Sequence, residues 1–259
     1  MNPQARIALL PYLLEGRYEL VKLRRLPVYA IPTIAFPVMF YLLFGIALSG
    51  GRMTGGRNVS DYLLATYGAF GVIGAGMFAF GVGVAVERAQ GWLLVKRASP
   101  MSPGAYIFGK VAASMCFAAI VVLLLAACAA GLGGVRLGIG QWSLLLTTLV
   151  LGTVPFCAIG LALGYAVGPN SAPAIVNLVH LPAALVSGLW MPVEMLPRGM
   201  RAVSPWLPQY HLGQLALTIT GKAIDPDTAR HVLALALWTV VALAAALWAY
   251  RRDEGALYG

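Results

Sequence analysis

An all-α membrane protein with six transmembrane helices is the fold this chain predicts, and three observations carry the prediction. Of its 259 residues, 60% are hydrophobic and only 10% are charged, a balance foreign to soluble domains. The stretches Tyr62–Val86 and Val111–Val135 hold no charge over 25 residues each, and Leu137–Val193 holds none over 57. Each is long enough to cross a bilayer, which takes about 20 apolar residues. Short basic or Gly/Pro-rich segments punctuate these runs. The length suits one transmembrane domain, residues 1–259, and leaves no room for a separate soluble catalytic domain.

The segment 1–27 carries Arg6, Arg17, Lys22, Arg24 and Arg25 against Glu15 and Glu19, with leucines recurring at an approximately helical period. It predicts an amphipathic interfacial helix with its basic face toward lipid headgroups. Its basic region and the apolar run after it are both too long for a signal peptide. The first span is placed at 28–49, where Pro32 and Pro37 are tolerable if neighbouring helices satisfy the freed carbonyls. A polar, glycine-rich loop, 50–60, leads to the second span, 61–86. Its glycines at three- and four-residue spacings suit close helix packing; a phosphate-binding loop would need a strand–turn–helix context that is missing.

Between the second and third spans lies Glu87–Pro100, a short basic helix with Trp92, Leu93 and Leu94 between its charged ends. Pro100 ends it, and Ser102-Pro103 supplies an N-cap and first-turn proline for the third span, 106–133. Lys110 is placed to snorkel to the membrane surface. The break Gly168-Pro169-Asn170-Ser171 divides the next apolar run into spans at 142–167 and 172–190. The last span is 231–250. Residues 191–230 hold Pro192, Pro197, Pro205 and Pro208 among Met195, Val203, Trp206 and Tyr210. This segment is too apolar for a solvated loop and too broken for a span, so it predicts two half-helices dipping into the membrane under protein cover.

Several functions are excluded or disfavoured. The net charge of +9 is spread over membrane-flanking loops without interleaved aromatics, so nucleic acid is not a partner and anionic lipid is. Cys116, Cys128 and Cys157 lie in apolar runs without a CxxC pair and predict buried free thiols, with no metal site. The chain has no GxxxxGK[ST] motif and cannot hydrolyse ATP by that device. His180 and Ser187 lack the context of a serine hydrolase, and no catalytic residues are assigned. No Asp or Glu falls within a predicted span, which disfavours the alternative class, an ion-coupled secondary transporter. Asn177 and His180, three residues apart, share one face of the fifth span and are candidates for lining a translocation path.

The run Arg88, Gly91, Leu94, Arg97, Ser99, Pro100 and Gly109-Lys110 resembles the cytoplasmic loop of ABC-2 type transporter permeases. The pattern MPVEMLPRGMRAVSPWLPQYHL resembles their outer re-entrant hairpin. The resemblance implies that 87–100 is a coupling helix docking on an ATPase subunit through Glu87, Arg88, Gly91, Leu93, Leu94, Lys96, Arg97 and Pro100. It implies an outer gate at Met191, Pro192, Glu194, Pro197, Pro205, Trp206 and Pro208. It further implies a second permease copy, as a homodimer or heterodimer, and two ATPase subunits holding ATP and Mg, with no cofactor on this chain. The expected function is ATP-driven export of a hydrophobic or amphipathic small molecule such as a drug, antibiotic or lipid-like compound. Counting Lys and Arg puts 11 of the 18 on the side of both termini, which predicts cytoplasmic termini, and the resemblance implies a bacterial inner membrane.

Overall fold

The computed structural model describes residues 3–48, 59–98 and 102–258. Among these there are helices and no strands. The loop 50–58, the helix stop at Pro100 and the neighbouring Ser99 lie outside the described residues. Five helical segments are long and apolar enough to cross a membrane, Tyr29–Ala47, Val59–Ala89, Gly104–Gly131, Ile139–Ala166 and Thr228–Arg252. The fifth expected span, 172–190, is the exception. Its helix, Ala172–Val186, has 15 residues, or about 22 Å of rise, because the chain is stopped before Trp190. Gly188 takes φ +77°, while Gly188 N–H donates to Leu185 O and Leu189 N–H to Ala184 O. That is the paired Schellman bonding of a glycine-terminated helix.

The helices are α1 (Pro3–Arg24), α2 (Pro27–Phe40), α3 (Val59–Ala89), α4 (Trp92–Ala98), α5 (Pro103–Gly131) and α6 (Ile139–Leu151). They continue with α7 (Thr153–Ala166), α8 (Ala172–Val186), α9 (Arg198–Val203), α10 (Pro208–Ile219) and α11 (Thr228–Tyr258). Two prolines interrupt the bonding of α2, which relaxes into a π-helical stretch, Tyr41–Ala47. Ser60 donates to the Gly45 carbonyl inside that stretch at 2.6 Å, joining the start of α3 to the end of α2. Ser102 caps α5 by accepting from Ala105 N–H at 3.3 Å, with Pro103 in the first turn.

The central post is α3, buried along nearly its whole length. Its Gly76 does what the glycine spacing predicted, since a Cβ there would lie 3.0 Å from the Thr153 carbonyl of α7, and α7 answers with glycines of its own. A Cβ on Gly160 would lie 2.8 Å from the Met77 carbonyl, and one on Gly164 would lie 2.8 Å from that of Phe80. Any larger residue there would push α7 off α3. The core gathers Tyr67, Phe70, Ile73 and Met77 of α3 with Val121 and Leu125 of α5, Leu145 and Leu149 of α6, and Phe156 of α7. A second cluster joins Leu23 of α1 to Phe80, Phe117 and Ala246.

Two expectations change in packing. Cys116 is exposed on α5 and only Cys157 is buried, although all three cysteines are free; an apolar run in a membrane protein has a lipid-facing side as well as a core-facing one. On α1, Leu10, Leu13, Leu14 and Tyr18 are exposed, whereas Glu19 is buried. The helix therefore turns leucines and arginines outward and its acidic side toward the bundle.

Candidate functional site

At one end of the bundle, α1, α4, α5 and the last turns of α3 meet in a buried knot of three carboxylates and three amines. The approach is set by Gly109 of α5, where a Cβ would stand 2.9 Å from Glu15 C and 3.0 Å from Gly16 N. With glycine there, α1 lies flat on α5. Glu15, Glu19 and Lys22, spaced by four and three residues, then share the face of α1 that looks inward.

The partners are specific. Lys110 of α5 donates to Glu87 at 2.9 Å and to Glu19 at 3.4 Å. Lys22 pairs with Glu87 and, at 3.3 Å, with Glu19. Lys96 of α4 pairs with Glu15 and stands 3.7 Å from Glu19, and its ammonium lies 4.4 Å from the centre of the Tyr106 ring. The Tyr106 hydroxyl donates to Glu87 at 2.6 Å. Three negative and three positive groups cancel, which is how ionised side chains tolerate a site where Glu19, Glu87 and Lys110 are each 5% exposed or less.

The field at α1 follows from this arrangement. Burial would raise the Glu19 carboxyl, but the ammonium groups of Lys110, Lys22 and Lys96 outweigh it and hold the group below its ordinary value. Burial, helped by Lys110, pushes Lys22 down to about 8 against the pull of Glu19. Lys110 does not snorkel. It is 1% exposed, held inside by two carboxylates that reach it from different helices.

Glu87 and Arg88 belong to α3 and not to a separate loop helix. The chain breaks after them at Gly91, whose φ of +74° is the left-handed turn glycine adopts at little cost. Arg88 points away from the charge knot. Its guanidinium donates to the carbonyls of Tyr165 and, at 2.8 Å, of Val167, so it caps the C-terminal end of α7 with a positive charge. Tyr165 in turn meets Tyr250 of α11 edge to face at 5.4 Å. On α4, Leu93 is buried, while Trp92 and Val95 are 54% and 62% exposed. The side chains of Leu94 and Arg97 lie outside the described residues. The charged residues of the segment that are described are thus engaged internally, and its outward face is apolar.

Asn177 and His180 separate. The Asn177 amide donates to the Pro173 carbonyl of its own helix at 3.1 Å. His180 is 2% exposed and stacks on Phe70 of α3 at 4.7 Å. Three residues along a helix turn the side chain by about 60°, enough to place one at the edge of the α3–α8 contact and the other inside it.

At the other end, residues 191–219 form a compact hairpin. A short turn, Val193–Met195, leads to α9, and a second, Ser204–Trp206, to α10. Pro197 and Pro208 start the two helices. Met191, Glu194, Pro197 and Trp206 are exposed, Pro192 and Pro205 are half-buried and Pro208 is buried. The base of the hairpin is pinned by the Ser204 hydroxyl, 2.6 Å from Val186 O, and by the Tyr62 hydroxyl, which donates to Gly188 O at 2.6 Å. The second half-helix does not skim a surface: α10 is buried from Pro208 to Leu217. Gly152, the break between α6 and α7, faces it, and a Cβ there would meet Leu212 at 2.3 Å.

Sequence reading missed Lys22, Lys110 and Tyr106 as partners of Glu87, Glu15 and Glu19 as partners of the lysines, and Trp92 and Val95 as the exposed face of α4. The three-residue spacing of Trp92 and Val95 was the available signal for that face. Two acidic residues four apart within an otherwise basic segment signalled the inward face of α1. Among the described residues no group of three or more His, Cys, Asp or Glu could hold a metal ion.

Comparison with known proteins identifies the family. The model of a family described as "ABC-2 type transporter" matches residues 14–220, from the middle of α1 to the end of α10. A relative from Bacillus subtilis (strain 168), named "Putative transport permease YvfS", is 24% identical over 193 residues, covering 74% of this chain and 78% of its own length. The match runs through both the charge knot and the hairpin, and the chain belongs to the ABC-2 type transporter family, as a multi-pass membrane subunit of the transport machinery.

Proposed function

We propose that this chain is the membrane subunit of an ATP-driven exporter, working as a symmetric pair with two separate ATPase subunits that bind ATP and Mg. The cargo is a hydrophobic or amphipathic small molecule, in keeping with an interior that carries almost no charge between its two ends. In this reading α8, extended by the turn after it, acts as the fifth of six spans. Both termini and α4 face the cytoplasm of a bacterial cell, in line with the excess of Lys and Arg on that side. A second copy packs on apolar surface such as the exposed Ile31, Phe36 and Met39 of α2, and twofold pairing is the commonest closed assembly.

The observation that carries the reading is the division of labour around α4. Its apolar outward face, Trp92 and Val95, is free of internal contacts large enough to bury it, as a docking surface requires. Behind it, polar links run to the rest of the bundle. Lys96 joins α4 to α1. Glu87 joins the adjacent end of α3 to α1 and α5. Arg88 joins it to α7, and through Tyr165 and Tyr250 to α11. ATP-driven closure of the partner subunits would push α4, and these links would turn the push into movement of several spans together, opening the path toward the hairpin. Arg88 therefore transmits the push instead of docking.

The test is co-purification in detergent with the ATPase subunit encoded nearby, followed by ATP hydrolysis and transport assays. Trp92→Ala with Val95→Asp is expected to abolish association. Arg88→Gln is expected to keep association and hydrolysis while transport per ATP falls. If no ATPase associates with the unaltered chain, the reading is wrong and an ion-coupled carrier takes its place, with Asn177 and His180 the first residues to examine.

A further inference from the structure

Far from the charge knot, two histidine rings face each other inside the protein. His211 of α10 and His231 in the first turn of α11 are 4% and 0% exposed, with their Nδ1 atoms 2.8 Å apart. One of these atoms must carry a hydrogen and the other a lone pair. On its far side, His231 Nε2 lies 2.9 Å from the Asp225 carbonyl oxygen. A carbonyl only accepts, so His231 carries its hydrogen there. In the neutral pair His231 Nδ1 is then the acceptor, and His211 donates from Nδ1 and keeps a lone pair on Nε2.

The same frame accommodates one more proton. A proton from the medium binds His211 Nε2 and makes that ring the imidazolium, while the bridging hydrogen stays between the two Nδ1 atoms. No ring–ring bond is lost, but a charge now sits on a buried ring. The groups facing the pair decide how well that charge is tolerated. Asp225 offers a carboxylate 3.9 Å from His231 Nε2, but Arg230 already engages it at 2.9 Å. Tyr210 presents its ring edge-on to both histidines. Among the elements packed on α10, α3 brings Asp61, taken up by Lys222 at 3.6 Å, and α8 brings His180, stacked on Phe70. The helix α6 brings no ionisable side chain, and Glu194 on the first turn of the hairpin is exposed.

We propose that the His211–His231 pair is a proton-binding latch: neutral, it clamps α10 to α11, and uptake of one proton loosens the hairpin. Burial, the neighbouring His231 and Arg230 outweigh the Pro205 carbonyl and Asp225 and hold His211 down at about 4. With the folded value below the ordinary imidazole value of about 6.5, folding favours the neutral ring. The stabilisation is complete above the ordinary value and is lost as pH falls toward the folded one. The hairpin segment that feels the change is tied to α11 at a second point, where Trp238 donates to the Trp206 carbonyl at 3.2 Å. Loosening at the histidines therefore frees α10 first, while the turn 204–206 stays attached.

The test uses the full-length protein in lipid nanodiscs. With only three histidines in the chain, ¹⁵N-histidine spectra assigned by single substitutions report each ring. Near neutral pH, His211 is expected as the rarer Nδ1–H tautomer, coupled across the hydrogen bond to His231. Hydrogen exchange of α10, corrected for intrinsic rates, is expected to quicken about tenfold or more between about pH 7.5 and about pH 4.5. In His231→Gln the same change should shrink to about twofold or less. An Nε2–H tautomer at His211, independent titration of both rings near the ordinary value, or unchanged exchange of α10 in the unaltered protein would each overturn the proposal. Should His231→Gln fail to fold, the spectra of the unaltered protein decide alone.

Discussion

The two ends of this bundle are held by opposite kinds of chemistry. At the α1–α4 end, six ionised side chains from four helices cancel one another around a buried centre formed by Glu19, Glu87 and Lys110. At the hairpin end, ion pairs such as Lys222–Asp61 are part-exposed and the buried ties are neutral: hydroxyls on carbonyls at the end of α8, and two imidazoles sharing one hydrogen. The contrast bears on how each end can move. A knot of full charges resists separation, because pulling one partner away leaves another charge buried and unpaired, so a push on α4 is passed on as a rigid movement. Neutral hydrogen bonds contribute about 1 kcal/mol each and can be exchanged one at a time, which suits a segment that has to open.

The largest effect expected from this contrast is at Glu87. Glu87→Gln removes the carboxylate nearest to Lys110 and leaves a cation 1% exposed with Glu19 alone at 3.4 Å. Breaking a buried pair from one side costs about 3–5 kcal/mol, which should appear as a large fall in the thermal midpoint in detergent. Replacing both members, as Glu87→Gln with Lys110→Met, should recover most of that loss, because no charge is then stranded. If the double variant is as unstable as the single one, the knot is not held by mutual neutralisation, and the contrast between the ends fails.

Much of this was legible in the residues. The spans follow from runs without charge, the α5 cap from Ser102-Pro103, and the close α3–α7 approach from glycine spacing. What could not be read was which faces the charges would choose. Lys110 sits where a lysine normally reaches out to water, and only the arrival of Glu19 from a helix 91 residues away turns it inward. Similarly, nothing near Arg88 in sequence points to the carbonyls at the end of α7. The fifth span was read too long because apolar character continues through Leu189 and Trp190, whereas the helix is ended by backbone bonding at Gly188, which hydrophobicity does not encode.

A second, intermediate effect sharpens the comparison through pH. Because Lys110, Lys22 and Lys96 hold Glu19 below its ordinary value, its share of stability is complete above the ordinary value of 4.5 and is lost as pH falls through the folded one. Acid should therefore release α1 from α5, read as faster hydrogen exchange along α1. Glu19→Gln should start from a weaker attachment and lose the part of the acid response that belongs to this group. At the hairpin end the acid response belongs to His211 and begins at higher pH, as burial leaves that ring neutral until about 4 while the unfolded ring binds its proton from about 6.5 downward. A titration in which both ends loosen together would mean that one proton-binding event governs both, and the two ends would not be separable.

The smallest effect expected is at Asn177, and it bears on the spans between the two ends. Among the described residues its amide bonds to the Pro173 carbonyl one turn back, in a helix whose neighbours Leu178 and Val179 are exposed. Asn177→Ala should change stability by less than about 0.5 kcal/mol, because the carbonyl it leaves is one that a helix interior normally satisfies. His180→Ala, by contrast, removes a ring stacked on Phe70 and 2% exposed, and a cavity of that kind costs about 2–4 kcal/mol. Both variants keep the charge knot and the hairpin ties, so any transport defect in them belongs to the middle of the bundle. A transport loss in Asn177→Ala with unchanged stability would mark that face of α8 as part of the path. Unchanged transport would mean the residue does no more than bond its own helix, and the path would have to be sought on other exposed faces.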